Sequence, residues 1–355
     1  MAHNFNWAPS RRSLLKTTAG ALLASSFGIR SSAAAANELV IATFGGKLGD
    51  ALRDIAAKSY AEKSGLSVVD DPSGPLAGRI RAMVQENNVI WDACDSISYT
   101  ALRLGKDGLL APIDYSVVDK NKLRPEGVFE YGINYGALSV MLVYDSEVFK
   151  DNPPTSWADF FDIKKFPGRR AAWQYGYCWE AALLADGVAP DKLYPLDTDR
   201  AIAKFRTIRD QMLFFTSGAE QVAALRDGEV TMAILFSNEY KNAFEESKGR
   251  LKGVWNQGLK CSTTLVVPKN NPAGEKVAMG FLAHVMTTEI QLALVEAGGI
   301  GPGDPALSAS LPEELAAFDP NNPKWVMDQV QTNDAYYADN EEKLVEMFID
   351  KVASN

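Results

Sequence analysis

From Leu39 onward the sequence alternates between short apolar runs and amphipathic stretches, and this alternation restricts the fold more than any other feature. Residues 39–44, 66–69 and 89–94 are apolar runs bounded by glycine or polar residues, as strands are. Between the first two, Leu52, Ile55, Ala56 and Tyr60 share one helical face, and Gly65 supplies a stop. Ile80, Met83 and Val84 mark a further helix, and another begins at Tyr99. The pattern returns with a nearly continuous apolar run at 138–144, helix 199–211, strand 212–216, helix 219–226 and strand 229–236. A late strand at 263–267 and a helical region at 274–298 follow. Strand and helix in turn mean a largely parallel sheet with helices on both faces. Ligands of such sheets bind beyond the carboxyl ends of strands. Those ends are Phe44-Gly45-Gly46-Lys47 and the run from Asp95 to Tyr99. The glycine-rich turn lacks phosphate-loop spacing, so it is read as a turn that lets backbone N–H groups approach a ligand.

The first 36 residues stand apart. Ser10-Arg-Arg-Ser-Leu-Leu-Lys16 is a twin-arginine export signature, and an apolar run at 17–29 leads to alanines at 33–36, with cleavage expected before Asn37. The apolar run is shorter than the roughly 20 residues that span a bilayer. Gly20 and Gly28 also break it. Segment 1–36 is therefore expected to be removed after passage through the twin-arginine machinery, leaving a soluble periplasmic product. The remaining chain of about 320 residues exceeds one comfortable core, so two lobes are expected.

Composition narrows the function. The export segment removes four of the 36 basic residues and none of the 45 acidic ones, leaving 32 against 45 and a formal charge of −13. That balance argues against nucleic acid and anionic membranes. Only His284 remains past the export segment, inside an apolar helical run, where it reads as packing. One histidine argues against a zinc enzyme or a Ser-His-Asp hydrolase, and no metal or cofactor is expected. Cys94, Cys178 and Cys261 are widely spaced. One bridged pair and three free thiols both remain open.

Residues 155–173, Thr-Ser-Trp-Ala-Asp-Phe-Phe through Lys-Phe-Pro-Gly-Arg-Arg-Ala-Ala-Trp, combine a capped short helix, a Pro167-Gly168 turn and a strand. With Trp91-Asp-Ala-Cys-Asp95, Asp107-Gly-Leu-Leu-Ala-Pro-Ile-Asp114 and Gly228-Glu-Val-Thr-Met-Ala-Ile234, they resemble the spermidine/putrescine-type solute-binding proteins of bacterial ABC importers. The resemblance implies a type II periplasmic-binding-protein fold, two α/β lobes with hinge strands between. It places lobe 1 at 37–134 plus 239–298 and lobe 2 at 135–238 plus 299–355, with crossings near Tyr135, at Ser237-Asn238-Glu239 and at 298–303. It further implies a monomeric, non-enzymatic protein that captures a small solute between the lobes and delivers it to an inner-membrane permease. A ligand sensor serving a receptor, or an enzyme on the same scaffold, are the alternatives.

Candidate ligand residues are the strand-end groups Phe44, Gly45, Gly46, Asp95, Ser96 and Tyr99. To these are added Tyr135, the aromatic run Trp173, Tyr175, Tyr177 and Trp179 with Glu180, then Ser237, Asn238, Lys260 and Ser262. Aromatic faces suit methylenes and cation–π contact. The family's polyamine binders pair ammonium groups with cleft carboxylates. Here the first strand ends without a tryptophan, and Lys260 stands where those binders commonly place an aspartate. A lysine repels a polyamine and suits an anion. The expected ligand is therefore a polyamine or a related small amino-carboxylate or amino-phosphonate zwitterion, the zwitterion favoured, its ammonium at Asp95 or Glu180 and its anionic end at Lys260.

Overall fold

The computed structural model describes residues 37–354 apart from Pro75 and Tyr177; the export segment and Tyr177 lie outside the described residues. One ten-stranded sheet runs through the molecule in the order β2-β1-β3-β8-β4-β7-β5-β6, with two short strands, β9 and β10, attached to its middle. Strands β1 (Glu38–Ala42), β2 (Ser67–Asp71) and β3 (Ala93–Ile97) are parallel and form one half. Strands β5 (Arg170–Trp173), β6 (Met212–Phe215) and β7 (Met232–Phe236) are parallel and form the other.

Two long antiparallel strands join the halves. β4 (Ile133–Asp145) and β8 (Leu251–Val266) pair along most of their length. In one half β8 also pairs with β3, and in the other β4 also pairs with β7. β4 is buried almost throughout, as its apolar run requires when helices cover both faces of a sheet. Short β9 (Gly301–Pro302) lies beside β4 at Gly136 and Ala137, and β10 (Val330–Gln331) beside β8 at Leu259 and Lys260.

The strand expected at 263–267 is therefore only the end of β8. Its earlier part interleaves Lys252, Asn256, Gln257 and Lys260 with Gly253 and Gly258, which breaks the apolar run that marks a strand, although Leu251, Val254, Trp255 and Leu259 anchor it. The return expected at 237–239 also shifts. Ser237–Glu246 is a helix whose Tyr240 and Ala243 pack with Met141, Ala233 and Leu251, so the chain passes back along β8 instead.

Four apolar clusters fill the two halves, one on each side of each half-sheet. The Trp157–Phe161 helix shows how local sequence feeds them. Asp159 reaches back to accept from the Thr155 N–H (2.8 Å) and Oγ1 (3.0 Å), holding the first turn where a carboxylate suits the helix dipole. Trp157, Phe160 and Phe161 then enter the core. Fully buried Arg170 donates to the Phe160, Phe166 and Gly168 carbonyls, closing the Pro167-Gly168 turn; burial lowers its pKa to about 10. The three cysteines are unbridged. His284 packs, its Nε2 2.8 Å from Ser59 Oγ. No single helix among the described residues is long and apolar enough to cross a membrane.

Candidate ligand cleft

Period-two alternation sorts the residues of the joining strands onto two faces. Leu138 and Cys261 are cross-strand partners, as are Val140 and Leu259. Val140 and Leu259 lie in the cluster that Cys261 also touches, and Ile97 at the end of β3, Phe236 at the end of β7 and Tyr336 pack on it too. This face is called the front. Ser139 with Lys260, and Ala137 with Ser262, are the intervening pairs and point to the rear.

Strand ends converge at the front. β1 ends in Thr43 and a half-exposed Phe44, then Gly45 and Gly46 with φ of 74° and 66°. Those angles suit glycine alone and present backbone N–H groups at the start of the Gly46–Ala51 helix. Gly45 N–H donates to Thr43 Oγ1 (3.2 Å), and Lys47 is exposed. β5 ends in Trp173, whose ring lies 5.8 Å from that of Phe236. With its amide donating to the Ile234 carbonyl, Gln221 accepts from Trp173 Nε1 (3.2 Å). Gln174 and Tyr175 follow, partly exposed. β7 ends in Phe236, and Glu239 turns back to accept from its N–H (3.2 Å). The same carboxylate lies against Gly218, at the start of the Gly218–Arg226 helix, where a β-carbon would meet it at 1.6 Å. Burial pushes Glu239 up to about 8. The two halves meet through Gly299, where a β-carbon would stand 3.2 Å from Asn238 Cα, and Gly298 packs against Leu48 within its own half. Lys47 and Glu246 also approach across this gap, at 3.8 Å.

Several expected site residues are interior. Asp95 is 4% exposed, and its Oδ1 accepts from Thr263 Oγ1 (2.7 Å) and Tyr135 Oη (3.0 Å). Burial is the larger influence and raises its pKa to about 6. Asp95 and fully buried Tyr135 thus form a closed network inside one half, and Ser96 is buried beside it. Trp179 is fully buried, its ring edge-on to Phe348 at 5.2 Å. Glu180 is 1% exposed and holds the Tyr337 hydroxyl through both oxygens (2.8 and 3.0 Å) and the Tyr194 hydroxyl through one. Asp95, Tyr135 and Glu180 are corrected from ligand groups to framework because their polar atoms are already committed, and Ser96 and Trp179 because they are buried inside the halves. Ser237 is buried and accepts from Ser139 N–H (3.2 Å). Tyr99 stacks on Tyr337 at 5.5 Å.

Phe44, Gly45, Gly46, Trp173, Tyr175 and Asn238 each stand at or just past a strand end, with Asn238 against Gly299. It sends Lys260 and Ser262 to the opposite face, where they line a crevice with Arg124, Asn134 and Asn321. Sequence reasoning missed Cys261 on the front. The alternation beside Lys260 carries that information once the strand is known to begin at Leu251. It also missed Asp334, held up at about 6 by burial beside Ser98.

Two half-sheets joined by long strands, with the strand ends of each half facing the other, are the geometry of a solute-binding fold. The chain belongs to the bacterial extracellular solute-binding protein family, whose sequence profile matches residues 56–324. It is similar to the γ-aminobutyric acid-binding protein of Pseudomonas aeruginosa, 28% identical over 332 residues, 91% of this chain and 94% of that protein. Among solved structures it is similar to one described as the Atu4243–GABA receptor, 32% identical over 88% of this chain and 96% of that one, with a TM-score of 0.80. AgtB from A. tumefaciens R10, solved with agropinic acid, is 28% identical over 89% of this chain and 98% of that one, with a TM-score of 0.79. These comparisons support solute binding in general; the narrower spermidine/putrescine resemblance is not what they name.

Proposed function

We propose that this protein is the periplasmic component of an ABC importer and captures a small amino-carboxylate of the γ-aminobutyrate kind in the front cleft. The first lobe is assigned to the β1–β3 half, the second to the β5–β7 half, and the hinge to β4, β8 and the chain after β9. One observation carries the choice of ligand. Every carboxylate at a strand end of the β1–β3 half is already engaged. Asp95 is held by Tyr135 and Thr263, Asp70 pairs with Arg53 (3.2 Å), and Asp71 with Arg79 (3.4 Å). What that half offers instead is the Gly45-Gly46 backbone and the exposed Lys47, whose ammonium also meets Glu246 across the gap at 3.8 Å; these suit an anion and repel a polyamine.

The β5–β7 half supplies the opposite sign. Glu239 and Asn238 lie at the end of β7, and Trp173 and Phe236 provide apolar faces for methylenes. A zwitterion therefore needs both halves, and contacts made from both favour the closed form. The names of the relatives, γ-aminobutyric acid and agropinic acid, agree with an acidic ligand. Export by the twin-arginine route belongs to the same reading.

A thermal-shift panel of ω-amino acids, simple carboxylates, putrescine and spermidine tests it. An ω-amino acid at 100-fold its Kd adds about 2.7 kcal/mol of stability, and Lys47→Ala weakens that response. Stabilisation by putrescine or spermidine, with every acid inert, overturns the reading.

A further inference from the structure

Behind the hinge strands lies a crevice that the front cleft does not use. It is lined by Arg124 and Glu126 from the segment before β4, by Lys260 and Ser262 from the rear face of β8, and by Asn321 and Gln331 from the chain after β9. The centre of a water-sized guest has about 20 Å³ to occupy, room for one small ion or one water.

Its cations outnumber its acids, Arg124 and Lys260 against Glu126. Arg124 Nε is buried and makes no hydrogen bond. Asn321 is 8% exposed, and neither its amide nitrogen nor its amide oxygen has a partner. Among the described residues neither Arg124 nor Lys260 has a carboxylate within the 4.0 Å of an ion pair. Asp319, the other nearby acid, accepts from Ser308 Oγ and from Asn321 N–H (2.8 Å). Burial lowers the Lys260 pKa; Glu126 and Asp319 oppose that shift and Arg124 adds to it. Half-buried cations with unused N–H groups are unfavourable unless a counter-charge joins them.

We propose that this rear crevice binds one small monovalent anion, of chloride or formate size, between Arg124, Lys260 and Asn321. A water molecule brings no charge and accepts only two hydrogen bonds, fewer than the donors present. Because Arg124, β8 and the chain after β9 meet here, the bound anion ties together three segments that converge at the hinge. The inference does not depend on which solute the front cleft takes.

The test titrates chloride, then formate, into the full mature protein, with ionic strength held constant by gluconate, which is too large for the crevice. Chloride-35 linewidth and melting temperature are followed. The expected result is a saturable excess linewidth and a saturable rise in melting temperature. Arg124→Ala and Lys260→Met should each weaken anion affinity by about tenfold, the scale of one charge-assisted bond. Front-cleft solute affinity should stay within about twofold, as expected for sites on opposite faces. Should Arg124→Ala not fold, Lys260→Met alone decides, since its side chain is partly exposed. Equal linewidths in the wild type and Lys260→Met, or crystals soaked in bromide that show only water in the crevice, overturn the proposal.

Discussion

The two faces of β4 and β8 differ in kind although they belong to the same residues in alternation. The front carries Leu138 and Cys261 and looks toward aromatic rings and buried acids; burial, then Asp334 and Glu180, raise the Cys261 thiol pKa well above its usual range. The rear carries Ser139, Lys260 and Ser262 and looks toward Arg124 and Asn321. A shift of one residue along a strand exchanges these environments. Chemistry at a hinge is therefore decided by register, not by proximity in sequence.

The largest expected effect tests the front. Glu239→Gln should weaken solute affinity by up to about 100-fold, or about 2.7 kcal/mol, because it removes a charge-assisted bond in a closed cleft. Calorimetric titration measures it, and an unchanged Kd places the ammonium elsewhere. Burial holds Glu239 at about 8, so at pH 7 the unliganded carboxyl is largely protonated. An ammonium brought to it favours ionisation, so binding should release a fraction of a proton. Heats measured in buffers of different ionisation enthalpy read that fraction, and buffer-independent heats remove the assignment.

A smaller effect separates framework from site. The folded pKa of Asp95 is raised to about 6, so the stability its neutral form contributes is complete below the ordinary carboxylate value and is lost as pH rises toward 6. Asp95→Asn keeps an acceptor for Thr263 and Tyr135 without the charge. Relative to the wild type it should gain about 2 kcal/mol between pH 4 and pH 7, measured by denaturant melts, with solute affinity little changed. A constant difference across that range shows that the carboxyl is not desolvated. The smallest effect is on the rear: Lys260→Met should leave solute affinity within about twofold. A larger loss collapses the distinction between the faces.

Much of this is legible in the sequence alone. Apolar runs and helical faces gave the alternation, because buried parallel strands must be continuously hydrophobic. The strand-end turn at Gly45-Gly46 was legible because positive φ selects glycine. Lys260 was not. Its strand was read as starting at Thr263, since the polar run 256–260 gives no strand signal of its own, and the face of a side chain cannot be assigned without its strand. Trp179 and Glu180 were misplaced for a different reason. Nothing local says that Tyr194 and Tyr337, far along the chain, converge on Glu180, or that Phe348 covers Trp179. Burial of that kind is a long-range property, and an aromatic-acidic run reads alike in a core and in a cleft.

In the proposed closure of the two halves, the Gly299 contact sets the stroke. Where other joints stop when side chains collide, here one jaw rests on the bare backbone of a turn, Asn238 Cα facing a residue with φ of +73° and no β-carbon. The jaws can thus close a few tenths of an ångström further than any other residue would allow. A methyl group at Gly299 acts as a shim, holding the mouth ajar by a few tenths of an ångström, on top of the strain that a side chain meets at that angle. The solute then loses grip from one jaw, and a transporter that docks only the shut form finds fewer molecules in that shape.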